Sequence, residues 1–357
     1  PGVTVNIPGY RLTPYKAEKG ETFWQIACKK NVRLDALLLL NKEISAGQLQ
    51  EGDMLHIPER ITEPLAKRAV PYDFSVLYAD LKELKSAYPF LRIQTIGRSV
   101  LGKPLYEIRI GRGSETIHFN ASFHANEWIT SAILMDLLNT YLLGLTNMTT
   151  LRGVDIAPLY FTKELSIVPM VDPDGVDLVL NGPPSEVKDE VIKMNKGSTD
   201  FSGWKANIRG VDLNNQFPAN WEIEKQRKEP KQPAPRDYPG DAPLTEPEAI
   251  AMANLVKNNS FSRVLAFHTQ GKEFYWGYEQ MEPPESEFLA CEFAKESGYR
   301  AVRFIDSHAG FKDWFIQEYR KPGFTIELGE GVNPLPLSQY EEIYEDVLGL
   351  FLAAIYL

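Results

Sequence analysis

Two polar side chains at the end of an apolar run have the types and spacing of a metal-binding pair. His124 and Glu127 form an H-x-x-E motif at the end of residues 119–127, FNASFHANE, a stretch typical of a strand that stops at a polar turn. Side chains three residues apart in a tight turn can converge on one point, and an imidazole nitrogen with a carboxylate oxygen suits zinc. The motif also occurs by chance, so the pair alone does not establish a metal site.

A third ligand must come from another part of the chain, since two protein ligands do not hold a catalytic zinc. His268 is one of only five histidines and follows a second apolar run, RVLAF, so it also lies at the end of a predicted strand. Open α/β sheets carry their chemistry at the carboxyl ends of their strands. Glu327 lies in a third apolar run, GFTIELG, where an unpaired carboxylate would cost several kcal/mol. A structural ion pair and a general base are both possible explanations for Glu327.

Strand and helix patterns place these three segments in an α/β domain. We predict strands over 91–96, 105–110, 116–121, 165–170, 263–267 and 324–328, and helices over 73–88, 128–143, 310–319 and 340–357. Residues 171–175 and 222–242 are predicted to be loops, and 201–221 an ordered, functional loop.

Composition excludes some classes of function. The chain has 357 residues, 43% of them hydrophobic, which fits a soluble globular protein with more than one domain. Its net charge of −10 argues against nucleic acid as a partner. No run is expected to approach the roughly 20 apolar residues of a membrane span, and no signal peptide is visible. Cys28 and Cys291 are expected to be reduced thiols.

Residues 13–58 are predicted to form a compact strand–helix–helix–strand unit, with Thr22 and Gln25 as a capping box. The segments YKAEKGETFWQIA from residue 15, NVRLDAL from residue 31 and GDMLHIP from residue 52 resemble a LysM domain. The resemblance implies binding to the N-acetylglucosamine-containing glycan of peptidoglycan or chitin; an unrelated small docking domain is the alternative. We therefore expect a LysM domain over 1–58, a linker over 59–72 and a second domain over 73–357.

The second domain resembles the M14 family of zinc carboxypeptidases. The shared motifs are, in order, GRSVLGKPL from residue 97, H-x-x-E at 124–127, DPDG from 172, GVDLN from 210, YPG from 238, TEPE from 245, His268 and FTIEL from 324. The resemblance implies an α/β fold with a central mixed sheet of about eight strands flanked by helices, preceded by the small βααβ LysM domain. It also implies one zinc ion per chain, bound by His124, Glu127 and His268.

The same resemblance implies roles for other residues. Glu327 would be the general base. In relatives an arginine nine residues before the asparagine of G-V-D-x-N stabilises the oxyanion; Lys205 has that place here, and Arg209 lies nearby, so either cation could act. Asn214 is retained, but Asn215 replaces the arginine that clamps a terminal carboxylate, and a neutral amide cannot form that bidentate, charged fork.

A second departure is the missing substrate-side tyrosine, for which His308 is the local candidate. With the LysM module, both departures indicate peptidoglycan stem peptides, and the chain resembles the γ-D-glutamyl-diamino acid peptidases of spore-forming bacteria. We predict a zinc metallopeptidase that hydrolyses the γ-D-glutamyl–diaminopimelate bond, with peptidoglycan glycan and stem peptides as partners. Diaminopimelate is not distinguished from lysine.

Two other functions stay open: an ordinary metallocarboxypeptidase that removes C-terminal L-amino acids, and a LysM-bearing wall scaffold without catalysis. The wall-binding module favours the bacterial cell wall or the spore as location, while the lack of a visible export signal keeps the cytoplasm open. The oligomeric state is not predicted.

Overall fold

A computed structural model describes residues 7–66 and 68–357. The first six residues of the predicted LysM domain and Lys67 of the predicted linker lie outside the described residues. The strands are β1 (Tyr10–Lys16), β2 (Met54–Arg60), β3 (Arg92–Arg98), β4 (Pro104–Gly111), β5 (Glu115–Ala121), β6 (Thr150–Leu151), β7 (Val154–Asp155), β8 (Lys163–Val168), β9 (Phe261–His268), β10 (Glu273–Tyr275), β11 (Arg300–Val302) and β12 (Gly323–Glu327).

The helices follow the apolar periodicity of the sequence. They are α1 (Phe23–Lys29), α2 (Leu34–Leu40), α3 (Phe74–Ala87), α4 (Ile129–Asn147), α5 (Ile156–Thr162), α6 (Pro173–Asn181), α7 (Lys188–Met194), α8 (Trp221–Arg227), α9 (Pro247–Lys257), α10 (Glu285–Ser297), α11 (Phe311–Tyr319) and α12 (Tyr340–Tyr356).

The N-terminal unit has the predicted βααβ order. Strands β1 and β2 pair antiparallel, and α1 and α2 lie between them in the chain. The Thr22 side chain accepts a hydrogen bond from the backbone of Gln25, and the Gln25 side chain accepts one from the backbone of Thr22, so the capping box is confirmed. A separate small core, formed by Phe23, Ile26, Ala27, Leu37, Leu55 and Ile57, holds the unit together.

The larger unit is built on an eight-stranded mixed sheet in the order β11-β10-β12-β9-β5-β8-β4-β3, as predicted. Its central strands β12, β9, β5 and β8 are parallel to one another, while the pairs β10–β12, β4–β8 and β3–β4 are antiparallel. In the ladders, Ala121 lies opposite Phe267 and His268 opposite Glu327. The ends of β5, β9 and β12 therefore meet at one edge of the sheet.

Helix α4 is the buried crossover behind β5. It belongs to one helical stretch, Ala125–Asn147, that is long and apolar enough by length and composition to span a membrane, so the expectation that no segment approaches that length was wrong. The fold explains its composition, because 78% of the most apolar window is buried inside the protein and α4 packs against β5 and α12.

Two predicted loops contain helices. The DPDG motif begins α6: the Asp172 side chain accepts a hydrogen bond from the Gly175 amide at 3.0 Å, and Pro173 occupies the first turn. Within the segment 222–242, residues up to Arg227 belong to α8, where Glu224 is buried against Arg227 and Lys228. The composition of these two segments did not predict the helices, because both helices are stabilised by caps and ion pairs as well as by apolar faces.

The segment between the two units is held on the larger one. The amides of Leu65 and Ala66 donate to Asn139 Oδ1 at 2.6 and 2.8 Å, and Arg68 pairs with the buried Asp136 at 2.5 Å. Strand β2 continues to Arg60, two residues beyond the predicted end of the LysM domain. The boundaries 1–58, 59–72 and 73–357 stay predictions.

Candidate active site

Three buried side chains meet at the carboxyl edge of the sheet. His124 Nδ1 lies 2.8 Å from Glu127 Oε1, and His268 Nδ1 lies 3.0 Å from Glu127 Oε2. The two imidazole Nδ1 atoms are only 3.1 Å apart. The structure therefore brings together the three side chains that the sequence singled out as metal ligands, across more than 140 residues of chain.

The donor chemistry of this cluster fits zinc. Its ligand atoms lie within 4.8 Å of one another, and two nitrogens with a carboxylate are a common catalytic zinc set. The three residues are nearly inaccessible, with exposed fractions of 4%, 3% and 1%. Lone pairs this close in a buried site repel unless a proton or a cation lies between them, so a metal ion accounts for the arrangement.

The turn after β5 places the first two ligands. Ser122 has a positive φ of 49°, and its amide donates to Thr130 Oγ1 at 3.0 Å. The Thr130 hydroxyl in turn donates to the backbone oxygen of Glu127 at 2.7 Å. Residues Ala125–Glu127 form a single 3₁₀ turn, which brings the glutamate back beside His124.

Asp212 fixes the orientation of the His124 ring. His124 Nε2 lies 3.2 Å from Asp212 Oδ1, so this nitrogen carries the proton and Nδ1 is left for the metal. Burial raises the pKa of Asp212, but Lys205 and His124 more than offset this and hold it well below the usual range. In the sequence Asp212 is visible only as part of GVDLN, and this role was not predicted from it.

The metal cluster opens into a cavity of about 190 Å³. One part of its wall carries His124, His268 and Glu327. The remaining lining residues are Lys205, Asp212, Asn214, Asn215, Lys228, Tyr275, Ile305, Ser307, Gly310, Lys312, Asp313 and Thr325. Glu127 lies behind this wall, so a ligand in the cavity faces the two histidines and Glu327.

Glu327 ends β12 directly beside His268 at the end of β9. The amide of Leu328 donates to the His268 backbone oxygen at 2.8 Å, which fixes the relative height of the two strands. Burial, together with the negative charge of Glu127, raises the pKa of Glu327 to about 8. A carboxyl group with this pKa can both accept and return a proton near neutral pH.

The two candidate oxyanion cations have different positions. Lys205 lines the cavity, and its Nζ lies 3.5 Å from Asp212 Oδ2. Burial lowers the pKa of Lys205, but the carboxylates of Asp212 and Glu127 raise it above its ordinary value overall. Arg209 does not line the cavity; its side chain is 55% exposed and lies 3.6 Å from Glu246.

Two of the three predicted substrate-binding residues line the cavity, and the third does not. Asn214 and Asn215 both line the cavity. Asn214 Oδ1 accepts a hydrogen bond from the Phe311 amide at 3.0 Å, which leaves its amide group as a donor. His308 is not part of the lining, although Ser307 is; its Nδ1 lies 3.0 Å from the Tyr278 hydroxyl.

Tyr275, Lys228 and Lys312 are among the lining residues that were not identified from the sequence. Tyr275 lies on the short strand β10, Lys228 follows α8, and Lys312 lies in the first turn of α11. The pairing of Tyr275 with Thr325 across β10 and β12 could not be read from sequence spacing. The charged pair Lys312–Asp313 between the aromatic residues of GFKDWF was the one signal available for Lys312.

Comparison with protein families gives two matches. Residues 77–348 match the model for zinc carboxypeptidases, Peptidase_M14, and residues 15–58 match the LysM domain. The resemblances drawn from the sequence are therefore confirmed.

Comparison with individual proteins gives closer relatives. Over 301 residues the chain is 56% identical to Gamma-D-glutamyl-L-diamino acid endopeptidase 1 of Lysinibacillus sphaericus, covering 84% of this chain and 76% of that protein. It is 48% identical over 293 residues to the uncharacterized protein YqgT of Bacillus subtilis strain 168, covering 80% and 77%.

Among solved structures, thrombin activatable fibrinolysis inhibitor matches with a TM-score of 0.65 at 17% identity, covering 87% of this chain and 90% of that one. At this identity the likeness concerns the fold alone. It agrees with the mixed eight-stranded sheet and its flanking helices. The fold, the cluster of His124, Glu127 and His268 and the match over most of its length show that this chain belongs to the zinc carboxypeptidase family, M14, with zinc as its metal.

Proposed function

We propose that this enzyme hydrolyses the amide bond between γ-D-glutamate and the following diamino acid in peptidoglycan stem peptides. The observation that carries the proposal is Asn215 in the cavity, where a guanidinium would be needed to clamp a free terminal carboxylate. Support also comes from the 56%-identical relative, whose name describes a γ-D-glutamyl-L-diamino acid endopeptidase.

The cations of the cavity do not replace the missing clamp. Among the described residues the lining contains lysines but no arginine. Lys205 lies 3.5 Å from Asp212, and Lys228 lies 3.4 Å from both Glu224 and Asp237. None of the three lysines in the lining, Lys205, Lys228 and Lys312, offers the planar, bidentate fork with which an arginine clamps a terminal carboxylate.

The side chains at the metal cluster have complementary tasks in amide hydrolysis. Bound zinc supplies a Lewis acid that polarises the scissile carbonyl and lowers the pKa of the attacking water. Glu327, on the wall beside His268, takes the proton of that water on a carboxylate oxygen and later gives it to the departing amine nitrogen. Its raised pKa of about 8 suits both transfers.

Lys205 stabilises the negative charge that develops on the carbonyl oxygen. It lies on the cavity wall and stays protonated because Asp212 and Glu127 raise its pKa. A fixed ammonium in a buried site stabilises an oxyanion more strongly than water does. The exposed position of Arg209 and its ion pair with Glu246 favour Lys205 over Arg209 for this task.

The LysM domain binds the glycan of peptidoglycan and so keeps the peptidase near its substrate. The module matches over residues 15–58, nearly the whole N-terminal unit. The adjoining segment is attached to the larger unit through Asn139 and Asp136. Tethering of this kind raises the local substrate concentration without new contacts in the active site.

The proposal is tested by incubating the full-length zinc enzyme with L-Ala-γ-D-Glu-diaminopimelate and identifying products by mass spectrometry. The expected products are L-Ala-D-Glu and free diaminopimelate. A tripeptide of L-amino acids with a free C-terminus serves as the comparison substrate. Cleavage of that tripeptide alone would make the enzyme an ordinary carboxypeptidase, and no turnover of either peptide would support a non-catalytic wall scaffold.

A further inference from the structure

A buried ion pair forms part of the cavity wall and has no task in the hydrolysis described above. Lys312 and Asp313 follow each other in the first turn of α11, and both line the cavity. Lys312 Nζ lies 2.6 Å from Asp313 Oδ1. Exposed fractions of 4% and 3% make this a desolvated pair, which generally contributes little net stability. A contribution to stability therefore does not explain its place beside the substrate.

Lys312 keeps one donor for a ligand. Its ammonium has three N–H groups; one donates to the backbone oxygen of Gly277 at 2.8 Å, and another faces Asp313. The centroid of the Tyr278 ring lies 5.7 Å from Lys312 Nζ. The ring covers another side of the ammonium without accepting a strong hydrogen bond. The third N–H is thus available to an acceptor that enters the cavity.

Asp313 likewise keeps acceptor capacity. Its Oδ2 accepts a hydrogen bond from the Gly310 amide at 3.1 Å. Its Oδ1 lies 2.6 Å from Lys312 Nζ and accepts no hydrogen bond from any other group among the described residues. A carboxylate offers about four acceptor sites, so this oxygen can also receive a donor from a ligand.

Gly310 lies between this pair and Asn214. A Cβ atom at this position would lie 2.9 Å from Asp313 Oδ2 and 3.5 Å from Asn214 Oδ1, so a larger residue would require Asp313 to shift. Asn214, Gly310, Lys312 and Asp313 therefore form one continuous part of the cavity wall. Because Asn214 is predicted to bind the residue that follows the scissile bond, the side chain of that residue would lie next to this part of the wall.

We infer that the Lys312–Asp313 pair recognises a zwitterionic group at the end of that side chain. The Lys312 ammonium would bind a carboxylate of the ligand, and the Asp313 carboxylate would bind an ammonium of the ligand. One carbon atom of the ligand carries both of these groups. Diaminopimelate ends in such a group, whereas lysine ends in an ammonium alone. The inference rests on the proposed function and deepens it, because it selects diaminopimelate over lysine as the residue after the cut.

The test compares two peptides, L-Ala-γ-D-Glu-diaminopimelate and L-Ala-γ-D-Glu-L-Lys, by kcat/KM. The wild-type enzyme should prefer the first by about tenfold or more, as expected for a buried site left unpaired by the wrong ligand. In Lys312→Met the preference should fall at least tenfold, and Lys312→Arg should retain more of it. Lys295→Met, on the exposed face of α10, is the control and should keep the wild-type ratio.

The outcomes separate the two proposals. Cleavage of neither peptide rejects the proposed function and this inference with it. Equal cleavage of both by the wild type, or an unchanged ratio in Lys312→Met, rejects only the inference. If the variants do not fold, inhibition of the wild type by free diaminopimelate and by free L-lysine decides the question. Diaminopimelate should inhibit at a concentration at least about tenfold lower than L-lysine requires. Equal inhibition by the two compounds would overturn the inference.

Discussion

His124 Nε2 and Asp212 Oδ1 lie 3.2 Å apart, and this contact decides which ring nitrogen is left for the metal. The same carboxylate lies 3.5 Å from Lys205 through its other oxygen. One buried aspartate therefore connects a zinc ligand with the cation proposed to stabilise the oxyanion. The three groups form a charged network in which each depends on the position of the others.

Replacing Asp212 by asparagine should weaken this network while preserving its shape. An amide accepts a weaker hydrogen bond from His124 and does not balance the Lys205 charge, so we expect zinc affinity or activity to fall about 10–100-fold. Zinc content after dialysis and kcat/KM measure the two effects. Asp189→Asn, at an exposed position of α7, is the control. Retention of both properties by Asp212→Asn would contradict the assigned role.

Replacing Glu327 by glutamine should remove the base without removing the metal. Glu327 is not one of the three clustered ligands, so bound zinc should remain at one ion per chain. The loss of a general base is expected to lower kcat about 10²–10⁴-fold. Glu330→Gln, at an exposed position three residues further, should behave as the wild type. A Glu327→Gln enzyme with near-normal kcat would assign proton transfer to another group.

The metal centre could be predicted because each ligand interrupts or ends an apolar run. His124, His268 and Glu327 are polar residues at the ends of buried strands, and parallel strands bring such positions to one edge. Local sequence therefore contained both the position and the chemistry of these residues. Hydrophobic patterns also predicted six strands of the larger unit and the βααβ order of the smaller one, whereas the central sheet of about eight strands was implied by the resemblance to the M14 family.

The far side of the cavity could not be predicted in this way. Tyr275 and Lys312 approach the site through the antiparallel pairing of β10 with β12 and the packing of α11. Both relations depend on long-range packing, which no local pattern encodes. Asp212 was visible in a motif, but its role depends on the distance to His124 across 88 residues of chain.

Lys205 and Arg209 can be distinguished by parallel substitutions to methionine. Because Lys205 lines the cavity and Arg209 is 55% exposed, Lys205→Met should lower kcat about 10²–10³-fold, and Arg209→Met should have little effect. Lys205→Arg should recover part of the loss, since it restores a cation. Steady-state kinetics on the diaminopimelate peptide provide the measurement. A larger loss in Arg209→Met than in Lys205→Met would reverse the assignment.

Introducing arginine at Asn215 should create the clamp that the cavity lacks. Asn215 is 7% exposed and lines the cavity, so a guanidinium there can reach a terminal carboxylate. We expect the ratio of kcat/KM for a free-carboxyl L-tripeptide over a diaminopimelate peptide whose carboxyl group next to the scissile bond is amidated to rise about tenfold or more. Asn215→Gln keeps a neutral amide and is the control. An unchanged ratio in Asn215→Arg would remove the argument from this residue.

Glu248 should give the folded protein a measurable pH dependence. It is fully buried, accepts a hydrogen bond from the Val100 amide at 2.9 Å, and has a pKa raised from 4.5 to about 7, chiefly by burial. Between these values the folded state binds more protons than the unfolded state, so stability should fall as pH rises from 4.5 to 7. Outside that window this carboxyl group contributes no slope.

Glu248→Gln cannot ionise and retains an acceptor for the Val100 amide, so it should abolish this part of the pH dependence. The free energy of unfolding of zinc-free protein, measured in urea near pH 5 and pH 7.5, should fall more in the wild type than in Glu248→Gln, by on the order of 2 kcal/mol. Removal of zinc prevents metal release from contributing to the slope. The comparison cancels the titration of acids that do not interact with Glu248, because both proteins contain them. Asp172 is not one of these acids, since the charge of Glu248 contributes to its raised pKa. Parallel slopes would mean that Glu248 is ionised throughout this range despite its burial.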